Sequence, residues 1–112
     1  MKKFLVLYRS PVSSAEQMAS ATREQMQEGM KAWQTWAERT GSALADMGAP
    51  LSASSKITDA GTAPGNDKIT GFSVVEAADI EAALALMDGH PHMGWTEGCE
   101  IEVHEQVAIP GM

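Results

Sequence analysis

The sequence of 112 residues holds one cysteine, Cys99. A lone cysteine can form neither an internal disulfide nor a cysteine-rich zinc site, so an apolar core has to hold the fold, and a reducing, cytoplasmic setting is expected. Long apolar runs are also missing. The N-terminal run from Phe4 to Tyr8 is closed by Arg9 and Pro11, which makes it too short for a signal-peptide core or a membrane span. Basic residues are scarce: eight Lys and Arg against fifteen Asp and Glu give a net charge of -7. Without a basic stripe, phosphate backbones and anionic headgroups would repel the chain, which argues against nucleic acid or a membrane surface as partner. No phosphate-cradling glycine loop, serine-nucleophile motif or paired-carboxylate arrangement occurs, and no cofactor is expected.

What is present suits a single domain over residues 1–112, with 44% hydrophobic residues to build one core. The charge is unevenly spread. Seven of the basic residues lie in residues 1–56 with five acids, whereas residues 57–112 hold Lys68 against ten acids. Within one fold the two halves can complement each other.

Residues 2–9 read as a strand with Phe4, Val6 and Tyr8 on one face and Leu5 and Leu7 on the other. Both faces are apolar and ask for cover. Ser13 and Glu16 form a capping-box pattern at a helix start. From Met26 the residues Met26, Met30, Trp33, Ala37, Thr40, Leu44 and Met47 recur at spacings of three and four, predicting one long helix that packs this stripe on a sheet. Gly29 is a possible point of division, and Gly48 with Pro50 is the predicted stop. Leu51 to Ile57 alternates as a strand, Asp59 to Lys68 reads as a mobile connection, and Ile69 to Ala77 is the next strand. Asp79 is placed to cap a second helix carrying Ile80, Ala83, Leu84 and Met87, ended by Gly89 and Pro91. Glu100 to Ile109 closes the chain as a strand.

The order strand, helix, strand, strand, helix, strand predicts an α+β, ferredoxin-like βαββαβ fold with a four-stranded antiparallel sheet, its first and third strands central. Lys2, Lys3 and Arg9 would then face Glu100, Glu102 and Glu105 across neighbouring strands. Two helices cover one face of such a sheet. The apolar residues left on the other face predict a homodimer, with a shallow cavity between sheet and loops as a site for a small-molecule ligand.

Four segments carry a resemblance: Met30 to Leu51 (MKAWQTWAERTGSALADMGAPL), Thr70 to Ala77 (TGFSVVEA), Gly89-His90-Pro91-His92, and Ile101-Glu102-Val103. In this order, over nearly the whole chain, they resemble the YCII-related family. The resemblance implies a dimeric α+β barrel of ferredoxin-like halves, with a His/Asp pair in a cleft at the sheet. This chain departs from that pair: the positions corresponding to the histidine and the aspartate are held by Met30 and His90. A thioether cannot move a proton, so the pair's chemistry does not carry over.

The segment Gly89 to Gly98 (GHPHMGWTEG) gathers two of the three histidines, a Trp and a Glu. His90 and His92 are the candidate acid/base catalytic residues, because imidazole titrates near neutrality and Pro91 fixes the chain between them. The bland alternative is a packed loop whose histidines touch the preceding helix end. Trp36, Trp95, Met30 and Tyr8 are the candidate ligand-binding residues. Trp33, on the predicted stripe, reads as core, with Trp36 at its edge. His90, His92, His104 and Glu102 are residue types that suit zinc or iron, but their spacing is not diagnostic of a metal site, and no metal is expected. Cys99 has no neighbouring cation in the sequence to activate it as a nucleophile. The reading that results is a cofactor-free homodimer that binds or transforms a small organic molecule by histidine acid/base chemistry. The alternative is a non-catalytic interaction module.

Overall fold

The computed structural model describes residues 1–66 and 68–111; Asp67, within the connection read from the sequence, lies outside the described residues. The architecture is α+β. Strand β1 (Lys2–Arg9) is followed by helices α1 (Ser14–Ser20) and α2 (Arg23–Thr40), a 3-10 turn over Gly41–Ala43 and strand β2 (Leu44–Pro50). A hairpin of β3 (Ser55–Thr58) and β4 (Gly61–Pro64) leads to β5 (Ile69–Ala77), helix α3 (Ile80–Ala85), a second 3-10 turn (Pro91–Gly94) and β6 (Glu100–Glu105). The main sheet has the order β2-β5-β1-β6 with antiparallel neighbours, which is compatible with a ferredoxin-like fold. β3 and β4 pair with each other in a separate two-stranded sheet. Among the described residues no helix is long and apolar enough to cross a membrane.

The alternation read in β1 holds. Phe4, Val6 and Tyr8 are buried and join Val75 and Ala77 of β5 with Trp36, Ala83 and Met87 in one core cluster. Leu5 and Leu7 pair with Val74 and Phe72 on the opposite face, where all four are half-buried in a single copy. The expected charge pairing across β1 and β6 is also present: Arg9 Nη1 lies 2.6 Å from Glu102, and Lys2 Nζ lies 3.4 Å from Glu105. Arg9 and then His104 hold the Glu102 carboxyl below the ordinary carboxylate range.

Three expectations about the helices are corrected. The division falls at Ala21 rather than Gly29, because Thr22 and Gln25 form a complete capping box that starts α2 afresh. α2 ends at Thr40 rather than Met47. Gly41 takes φ +63°, a left-handed backbone that stops the helix, and Leu44 and Met47 belong to β2. The packing stripe is half as long as predicted. Trp33, Trp36, Ala37 and Thr40 reach the body, while every residue from Arg23 to Ala32 is exposed. Trp36 is the core residue and Trp33 is half-buried, the reverse of the sequence reading.

The strands after α2 are corrected as well. The sheet strand is Leu44–Pro50, not Leu51 to Ile57, and the predicted connection contains β4. Gly48, taken as a helix stop, sits in a bulge of β2 at φ +78°. A Cβ there would lie 1.7 Å from the Phe72 carbonyl oxygen, so the close approach of β2 to β5 requires glycine. β6 ends at Glu105, and Val107 and Ile109 beyond it are exposed. Leu84 points outward and Leu86 takes its place against the core, because the helical period ends at Ala85.

Candidate functional site

All three tryptophans and the single tyrosine of the chain gather around His90 and His92. Three elements bring them there. β1 presents Tyr8 from the helix-covered face, α2 presents Trp33 and Trp36 one turn apart, and the Gly89–Gly98 segment folds its 3-10 turn over them. The segment is tied down at several points. Trp36 Nε1–H donates to the Leu86 carbonyl at 2.9 Å, Arg39 Nη2 donates to the Asp88 carbonyl at 2.6 Å, and His92 Nε2–H donates to the Arg9 carbonyl at 2.8 Å.

His90 is 2% exposed and both its ring nitrogens are occupied. Its Nδ1 accepts from the His92 backbone N–H at 3.0 Å, which places the proton on Nε2. Nε2–H points to the Tyr8 hydroxyl at 3.1 Å, Tyr8 O–H donates to Ser73 Oγ at 2.8 Å, and the Ser73 hydroxyl donates to the Met47 carbonyl at 2.7 Å. The chain of donors runs one way, from the loop across the sheet to the β2 bulge. Burial, then the neighbouring His92 and Arg39, lower the His90 pKa to about 3. Burial pushes the Tyr8 hydroxyl up to about 12 against the opposing bond to Ser73. Both groups therefore hold fixed protonation states near neutral pH. His92 is lowered too, mainly by burial, with bonds to backbone carbonyls acting in the opposite sense.

Beside this cluster, where α2 overhangs the sheet, lies a cleft of about 1060 Å³. Tyr8, Trp33, His92 and Trp95 form its aromatic end, and Met18, Met26, Met30 and Met47 line it further out. The cleft lies between the sheet, the Gly89–Gly98 segment and α2, on the helix side of the sheet. It is opened by the overhang of α2, whose first ten residues are exposed instead of packing on the sheet. Of the candidate ligand-binding residues, Tyr8, Met30 and Trp95 line the cleft and Trp36 does not. Of the two candidate catalytic residues, His92 lines it and His90 sits behind Tyr8 and Trp33. His104 lies apart on β6, exposed and bonded to Glu102 at 3.1 Å. Among the described residues no group of three or more His, Cys, Asp or Glu is placed to hold a metal ion.

Sequence reasoning missed Ser73, Met18 and Met47 as parts of this site. A serine within the apolar strand Phe72-Ser73-Val74-Val75 carried a usable signal, since a buried hydroxyl needs a partner. The stripe Met26-Met30 was visible, and its lack of branched aliphatic residues separates an adaptable binding wall from a packed core. Comparison with known proteins returns neither a matching family model nor a matching curated protein.

Proposed function

We propose that this chain binds a small, mainly apolar organic molecule in the cleft beneath α2, without a cofactor. The observation that carries the reading is a large cleft with an aromatic end and a methionine wall, beside an interior already packed around Trp36. Pockets for such ligands are concave, mostly apolar and supplied with few polar groups. Here Tyr8, His92 and Thr96 supply polar groups at the aromatic end, and Gln25 and Glu28 supply them on α2. Both imidazoles are buried and held by hydrogen bonds, His90 through both ring nitrogens and His92 through Nε2–H to the Arg9 carbonyl, so the proposed function is binding rather than proton transfer. His90 is a positioning residue that fixes Tyr8 and the loop. The YCII-related resemblance agrees with a cleft at this sheet, and Met30 on its wall stands where that family's proton-transferring histidine would be. The dimeric barrel it implies would place Leu5, Leu7 and Val74 against a second copy.

Titration with 2-naphthol and with naphthalene, followed by tryptophan fluorescence and by NMR of the indole N–H signals, tests this reading. Both probes are expected to shift Trp33 and Trp95, which line the aromatic end. Met30→Glu puts a charge on the wall at a position 57% exposed in a single copy, so folding is preserved. It should weaken both probes at least tenfold, about 1.4 kcal/mol. Unchanged affinity in Met30→Glu, or shifts confined to residues outside the cleft, would overturn the proposal.

A further inference from the structure

A folded chain of 11.9 kDa normally exposes about 5,950 Å², whereas this one exposes 7652 Å². Its radius of gyration is 15.5 Å, against about 13 Å for a compact domain of this length. The excess of about 1,700 Å² per copy is what one partner contributes to an obligate homodimer, roughly 1,000–2,500 Å². Two features carry much of it. One is the first half of α2, exposed from Arg23 to Ala32. The other is the β3–β4 arm, where every residue from Leu51 to Thr62 is exposed and Ile57 is 85% exposed. A two-stranded hairpin alone is marginal in water, so the arm needs a surface to lie on.

We propose that the β3–β4 arm of one copy lies across the cleft mouth of a second copy, against Met26 and Met30. The arm leaves the body at the rim of its own cleft, where the Leu51 N–H bonds to the Thr70 carbonyl at 2.9 Å. Every residue from Leu51 to Thr62 is exposed, so the arm is not packed on its own helix. The surfaces match. In the hairpin register Ile57 faces Thr62 and Ser55 faces Pro64, which gives the arm a face carrying Ile57 and Pro64 for the methionines. Asp59 at the arm's tip would meet Arg23 and Lys31, which flank Met26 and Met30 on α2. A two-fold axis supplies the contact twice and roofs both clefts. This inference concerns assembly and stands whether or not the cleft takes a small molecule.

Exposed methionines give the test, since hydrogen peroxide oxidises a thioether to the sulfoxide and is itself reduced to water. Limited oxidation of the full chain is read by mass spectrometry, with the mass of the particle measured by sedimentation at the same concentration. Met26 and Met30 should oxidise at least tenfold more slowly than Met93, which is 53% exposed and is not among the residues lining the cleft. Ile57→Asp alters an exposed position and should remove that protection. The deciding arm refolds a trace of isotope-labelled wild-type chain with excess Ile57→Asp chain. Labelled chains paired with the variant should lose protection at Met26 and Met30, because the cover comes from the partner. Protection retained on those labelled chains, protection in a particle of one-chain mass, or no protection in the wild type would each overturn the proposal.

Discussion

Each donor in the row His90, Tyr8 and Ser73 has one proton to give and one acceptor for it, and the row ends on the Met47 carbonyl. That ordering ties His90 to the neutral form, and stability then depends on pH. Below about pH 6.5 the unfolded chain takes up a proton on this imidazole, whereas the folded chain refuses it until about pH 3. The folded pKa is depressed for a base, so stability is full above the unfolded value and declines as pH falls. The decline is about 1.4 kcal/mol per pH unit for His90, and His92 adds in the same direction. Urea unfolding at pH 7, 6 and 5 should show the midpoint falling over the last step, before most carboxylates begin to titrate. A level profile from pH 7 to pH 5 would mean that the fold accommodates a charged imidazole after all.

At the scale of elements, two glycines respond oppositely to the same change. Gly48→Ala forces a Cβ into the Phe72 carbonyl at a positive φ and should destabilise the protein by more than about 1 kcal/mol. Gly29→Ala, inside α2 with nothing near its Cβ position, should stabilise it by up to about 1 kcal/mol. Thermal or urea unfolding of the two variants checks both signs. The same pair of positions shows how far the elements were legible. Where one periodicity ran unbroken, as in Phe4, Val6 and Tyr8 or in Asp79 capping α3, sequence and structure agree. Leu44 and Met47 continue the helical spacing of Thr40 by coincidence, and the two register shifts in β2 erase the alternation that would have marked a strand. The left-handed backbone at Gly41, which decides the matter, has no signature in hydrophobic spacing. The site was legible in part. The histidine loop was found from its residue types, while the cleft came from an overhang that no local pattern encodes.

At the scale of the whole molecule, stability is distributed unevenly. β1 and β5 sit at the middle of the sheet and carry Val6 and Val75, both fully buried. The first half of α2 adds no buried side chain to that core. Its amides should open with a free energy about 2–3 kcal/mol lower than those of Val6 and Val75, so that hydrogen exchange is roughly a hundredfold faster from Arg23 to Ala32. Exchange followed by NMR reads this directly, and equal protection across α2 and the central strands would contradict it.

The crowding of every indole in the chain around two imidazoles has a practical side. Trp33 and Trp36 touch His90, and Trp95 touches His92. Emission from this protein consequently originates beside the cleft and nowhere else. An ordinary fluorimeter becomes a local detector, in which a colour change or quenching on adding a compound reports on that neighbourhood without any attached dye.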